Sequence, residues 1–224
     1  MIRQLLLVAL AAISNVTQAN DENCKPRGLY STPGTPVPYC SVYDQDGREQ
    51  LGTEHQRRII GYFTSWRHGK NGQPSYLVKD IPWQKLTHIN YAFAHIDNNY
   101  RLSIGNVSNP ENPATGMTWP GISGAEMDPV LPYKGHFNLL TQHKRQYPHV
   151  KTLISVGGWA ETGGFFNDQG ERIANGGFYS MTTNADGSIN EAGIQAFSES
   201  TIDFLRRYNF DGVDIDYEYP SSMQ

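Results

Sequence analysis

A chain of 224 residues, 38% hydrophobic and 12% aromatic, is long enough to bury a sizeable core. Eighteen basic against twenty-two acidic side chains leave a formal charge of −4, which offers no electrostatic hold on nucleic acid or anionic lipid. Its histidines and cysteines show no metal-ligand spacing, and no P-loop or dinucleotide fingerprint occurs, so neither a metal nor a cofactor is expected.

The N-terminus reads as an export signal. Met1-Ile2-Arg3-Gln4 supplies a positive start, Leu5 to Ile13 an apolar run, and Val16-Thr17-Gln18-Ala19 a small-residue cleavage region. That run is too short to cross a bilayer core of about 30 Å as a helix. Residues 1–19 are therefore expected to be removed, leaving a secreted chain with no membrane attachment. Residues 20–57 follow as a small appendage holding the only two cysteines. Outside the cytoplasm a Cys24–Cys40 disulfide is expected, worth about 3 kcal/mol by loop entropy. Asp46-Gly47, between Ser41-Val42-Tyr43 and Glu49-Gln50-Leu51, is a hairpin-turn signal.

From Arg58 the rhythm becomes strand then helix, which points to an α/β fold with a parallel sheet. Strands are predicted over 58–64, 86–94 and 151–157. Helices are predicted around His136 to Gln146 and from Asn190, where Ile194, Phe197, Thr201 and Leu205 recur near helical spacing. Two long stretches rich in Gly, Pro and Asn, Gly105 to Pro132 and Glu161 to Ser188, follow the second and third strands and are expected to wall a groove.

The last predicted strand is Asp211-Gly212-Val213-Asp214-Ile215-Asp216-Tyr217-Glu218-Tyr219-Pro220. Side chains alternate faces with period two, so Asp214, Asp216 and Glu218 share one face, while Val213, Ile215 and Tyr217 share another that should be buried. A solvated edge strand could also show acids to water. Like charges two residues apart repel, however, and aspartate is a poor strand residue, so the ladder reads as wanted for its chemistry.

These acids fill the pattern Asp-x-x-Asp-x-Asp-x-Glu, and Ser155-Val156-Gly157-Gly158 fills a second one, Ser-x-Gly-Gly, on the preceding strand. Residues 58–224 thereby resemble the catalytic domain of glycoside hydrolase family 18 chitinases. The resemblance implies a (β/α)8 TIM barrel. With about 250 residues usual for a barrel, only about its first four strand-helix units are expected here, and the chain alone is expected to be an inactive fragment.

The resemblance also implies roles. Glu218 is the general acid and base, Asp216 orients the substrate's 2-acetamido group, and Asp214 holds a shared proton. Tyr62 and Trp66 stack against sugar, and Ser155, Gly157 and Gly158 support the site. Phe93, Trp159 and Tyr219 are further candidates for the groove, because a pyranose offers an apolar C–H face to an aromatic ring. Phe93 has ambiguous parity, and a core position remains open for it. Asp211, out of phase with the other acids, is expected to shape the strand's start. The implied reaction is endo-hydrolysis of β-1,4-linked N-acetylglucosamine polymers by a substrate-assisted retaining mechanism, with chitin or chitooligosaccharides as partner. Alternatives are a non-catalytic chitin-binding lectin, which would typically lack the Glu at position 218, and an endo-β-N-acetylglucosaminidase acting on glycoprotein glycans.

Overall fold

The computed structural model describes residues 22–29, 37–52, 55, 57–72 and 74–220. The expected export signal, 1–19, lies outside the described residues. The chain divides after Gly52 into two compact units.

In the first unit Cys24 and Cys40 form a disulfide with their Cα atoms 5.0 Å apart. Cys24 and Tyr39 are buried, and the Lys25 ammonium lies 5.8 Å from the centre of the Tyr39 ring. The Asp-Gly turn forms as its chemistry requires. Asp44 Oδ1 accepts from the amides of Asp46 and Arg48 at 2.9 and 2.8 Å, and Gly47 takes a positive φ of 72°. Its flanks pair through a single antiparallel bridge, Tyr43 to Glu49, and go no further as strands.

The second unit runs β1 (Ile60–Thr64), β2 (His88–Ile96), β3 (Leu102–Ser103), α1 (Gly135–Gln146), β4 (Lys151–Gly157), α2 (Gly158–Glu161), β5 (Phe165–Phe166), β6 (Arg172–Ile173), α3 (Gly177–Thr182), α4 (Glu191–Tyr208) and β7 (Gly212–Asp216). Four of these strands form a parallel sheet in the order β1-β2-β4-β7, with β3 pairing antiparallel to the end of β2. The second strand lies two residues later than predicted. The stretch 161–188, expected as loop, contains the β5–β6 hairpin and α3, elements too short for periodicity to reveal.

Strand parity sorts the core. Phe63, Ile89, Tyr91, Ile154 and Val156 are buried on the helix side, around Phe137 of α1. The Phe137 ring meets Tyr91 at 5.0 Å, Phe210 at 4.9 Å and Tyr208 at 5.1 Å between centroids. α4 starts where its sequence signals a start, with the Asn190 side chain accepting from Gly193 N at 3.0 Å. Of the expected stripe, Thr201 is buried and Phe197 and Leu205 pack partly buried against the core, but Ile194 does not. Ser200, Thr201, Phe204 and Tyr208 face inward, while Ile194 is exposed. The two aromatics, drawn to Phe137, decide the helix's rotation.

On the opposite face, Ile60 and Tyr62 of β1 stand half exposed, and among the described residues β1 and β7 each pair along one edge only. Ile215 contradicts the expected burial of its face of the last strand. It is 50% exposed, because no described element packs over β7 there, while Val213 and Tyr217 are partly buried against the core.

Asp211 lies just before β7, bonded to the neighbouring strand. Its carboxylate accepts from Thr152 N at 2.7 Å and from Lys144 Nζ at 2.8 Å, and its own amide donates to Thr152 O at 2.8 Å. Asp211→Ala breaks these charge-assisted bonds at once and is expected to cost about 2 kcal/mol. Thermal unfolding should show a fall in Tm of roughly 4–8 °C.

Candidate active site

The expected extent of the last strand needs correction. β7 ends at Asp216, whose ladder partner is Gly157 of β4, and Glu218 lies beyond the strand. Period-two alternation therefore accounts for Asp214 and Asp216 facing together, but not for Glu218. The backbone amide of Glu218 instead donates to Thr162 Oγ1 at 3.0 Å.

Asp214 is the best-anchored of the acids. Ser155, its register partner on β4, donates to Asp214 Oδ2 at 2.8 Å, and the Tyr62 hydroxyl donates to the same oxygen at 2.8 Å. β1 and β7 are three interstrand spacings apart, about 14 Å in a flat sheet. A direct hydrogen bond from Tyr62 to Asp214 therefore requires the sheet to curl, carrying the two side chains toward each other across the concave face. Asn90, the register partner of Tyr62 on β2, lies beside the same phenol, and its buried Oδ1 has no partner. Partial burial and the Asp214 charge raise the Tyr62 pKa, against the Asn90 contact, which lowers it.

Asp216 sits between Asp214 and Glu218. Partial burial first, then a hydrogen bond with Glu218 and the charges of Glu218 and Asp214, push its carboxyl up to about 6. The resemblance places the shared proton on Asp214. Two hydroxyls donate to Asp214 Oδ2, and burial with two acidic neighbours favours the protonated form of Asp216. Titration of the Asp216 side-chain carbon by NMR is expected to give a midpoint near 6, where the ordinary value is 3.8. A midpoint at the ordinary value would show the acids apart. The folded chain keeps this proton to higher pH than the unfolded chain. The stabilisation it brings is therefore complete below about pH 3.8 and is lost as pH rises through about 6.

The two glycines of Ser-x-Gly-Gly are required by close approach. Gly157 has φ +101°, and a Cβ there would lie 2.5 Å from Asp216 O and 2.6 Å from the Phe178 ring. At Gly158, φ +73°, a Cβ would lie 2.8 Å from the Phe93 ring.

A β-bulge resolves the ambiguity of Phe93. The β2–β4 register slips between Ala92 and Ala94, so Ala94 and Ile96 turn to the core, whereas Phe93 takes the other face. There its ring stacks with Trp66, centroids 6.1 Å apart and planes 24° off parallel. Burial separates the four tryptophans by use. Trp83 and Trp119 are 1% and 8% exposed in the core, while Trp66 and Trp159 are 50% and 66% exposed. Trp66, Phe93 and Trp159, with Ser65, Gly157, Ala160 and Glu161, line a largely apolar cavity of about 380 Å³. Tyr219 meets Trp159 edge-on, 6.3 Å between centroids. The structure thus gathers Tyr62, Ser155, Asp214, Asp216 and Glu218 into one cluster, with Trp66, Phe93, Trp159 and Tyr219 as exposed or half-exposed rings beside it.

Two residues at this cluster were not singled out from sequence. Asn90 carried a signal, as a polar residue at an inward position of an apolar strand. Thr162 carried none, since it falls in a stretch read as loop.

A parallel α/β sheet with its acids gathered at the carboxyl ends of its strands defines the barrel class of glycoside hydrolases. The description of Glycosyl hydrolases family 18 matches residues 58–224, and the chain belongs to that family. A crystal structure of a family GH18 chitinase from Chromobacterium violaceum is 67% identical, with a TM-score of 0.84, covering 90% of this chain and 30% of that one. Chitinase A1 of Niallia circulans is 35% identical over 191 residues, 74% of this chain and 24% of that protein. Chitinase C of Streptomyces lividans is 32% identical over 168 residues, 73% of this chain and 23% of that protein. The chain thus spans about a quarter of the length of these curated relatives.

Proposed function

We propose that residues 58–224 form part of the catalytic barrel of a secreted chitinase, which hydrolyses β-1,4-linked N-acetylglucosamine polymers within the chain. The observation that carries this reading is the gathering of Asp214, Asp216 and Glu218 at the end of β7, with Tyr62 and Ser155 donating to Asp214, beside exposed tryptophan rings. The kinship to chitinases supports the substrate class.

Cleavage needs a proton for the leaving oxygen and stabilisation of an oxocarbenium-like carbon. Glu218 supplies the proton. Asp216 neighbours Glu218 on the same short run of chain, so it cannot attack the sugar from the opposite face as a separate nucleophile would. The substrate's acetamido oxygen attacks C1 as the C1–O bond breaks, and Asp216 orients the amide and balances the positive charge of the oxazolinium ion. Water then adds to C1 as the C1–O bond of the oxazolinium ring breaks and the acetamido group is restored, giving its proton to Glu218, and the anomeric configuration is retained. Tyr62 and Ser155 keep Asp214 fixed throughout, and Trp66, Phe93 and Trp159 stack on pyranose faces.

Among the described residues, four parallel strands with half-exposed residues on the concave side do not enclose a sugar. Hydrolysis is accordingly assigned to the protein carrying the full catalytic domain, with the present residues alone inactive. Incubation of both forms with chitin oligosaccharides, followed by mass spectrometry, tests this. Shortened products are expected from the full-domain protein only, and intact oligosaccharide from both would refute the assignment.

A further inference from the structure

Glu218 lies past the last ladder pair of β7, where β4 has already turned into α2 and, among the described residues, no strand is placed to take its N–H. Thr162, directly after α2, takes it through Oγ1 at 3.0 Å. The hydroxyl's own proton goes to Gly158 O at 2.8 Å, with Asp216 O more distant at 3.5 Å. A hydroxyl has one proton, and with that proton given to Gly158 it presents a lone pair to the Glu218 amide. Thr162 is 1% exposed, and its backbone is fixed on both sides: its N donates to Gly158 O at 3.1 Å and its O accepts from Phe178 N at 3.0 Å. At the other end of the same run, Ser155 holds Asp214. One strand, a double-glycine turn and a short helix therefore grip both ends of the acid ladder.

Building on the hydrolase reading above, we propose that Thr162 is a positioning residue for Glu218, its hydroxyl fixing the backbone of the acid where the chain leaves β7. Thr162 is buried and reaches the reaction through Glu218, whose amide it receives. Its effect falls chiefly on the placement of the proton donor and so on turnover.

Thr162→Val keeps the branched shape and removes the acceptor, whereas Thr162→Ser keeps the hydroxyl. In the full-domain protein, Thr162→Val is expected to lower kcat on chitin oligosaccharides by about 10-fold or more, with KM within about two-fold, and Thr162→Ser to recover most of the loss. Equal kcat in Thr162→Val and the unsubstituted protein, or an equal fall in both variants, overturns the assignment while leaving the hydrolase reading intact. Failure of the unsubstituted protein to cut refutes the hydrolase reading instead. Amide hydrogen exchange at Glu218 tests the clamp without activity. Protection is expected in the unsubstituted chain and in Thr162→Ser and should be lost in Thr162→Val. Free exchange in the unsubstituted chain, or retained protection in Thr162→Val, overturns the proposal.

Discussion

Replacing Glu218 by Gln in the full-domain protein is expected to lower turnover by at least about 10²-fold while oligosaccharide binding persists within a few-fold. The amide keeps the size and most hydrogen-bonding capacity of the acid but has no proton to give the leaving oxygen. Trp66, Phe93 and Trp159, which line the apolar cavity, do not depend on that proton. The substitution should also lower the Asp216 pKa, because the charge of Glu218 is among the causes holding it up. Turnover measured on a chromogenic oligosaccharide, with affinity measured by calorimetry, separates the two effects. Near-normal turnover would remove Glu218 from its role.

Gly157→Ala is expected to disrupt the fold at the acid ladder. The added methyl would meet the Asp216 carbonyl and the Phe178 ring, and its backbone sits at φ +101°, which side-chain-bearing residues rarely adopt. Strain of about 1–3 kcal/mol from the dihedral and a similar amount from overpacking sum to about 2–6 kcal/mol, a large part of the stability of an ordinary domain. Relief requires β7 to move away from β4 at the Gly157–Asp216 pair. Chemical denaturation should show a marked loss of stability, and any folded remainder should show a displaced Asp216. An unchanged midpoint would mean that β7 does not approach Gly157 this closely.

The parts of this site that were legible in sequence are those governed by strict local geometry. Period-two alternation placed Asp214 and Asp216 together, and the same parity on the third strand put Ser155 on the face that meets Asp214. The Asn190 start of α4 and the turn at Gly47 follow from capping and turn chemistry that acts over a few residues. What failed to show depends on contacts distant in sequence. Glu218 leaves the strand because β4 ends at Gly157 to begin a helix, a fact about another segment. Phe93 reaches the site through a bulge that periodicity cannot foresee. The rotation of α4 is set by Phe204 and Tyr208 packing on Phe137, which leaves Ile194 of the expected stripe exposed. Thr162 acquires meaning only once α2 carries it to the end of β7.

The proposal as a whole depends on Asp214, Asp216 and Glu218 facing one sugar together. A crystal structure of the Glu218→Gln variant of the full-domain protein bound to a chitin oligosaccharide tests this most directly. The expected result is a 2-acetamido group hydrogen-bonded to Asp216, with a glycosidic oxygen about 3 Å from the side chain at position 218. A sugar seated elsewhere, or an acetamido group turned away from Asp216, would contradict it.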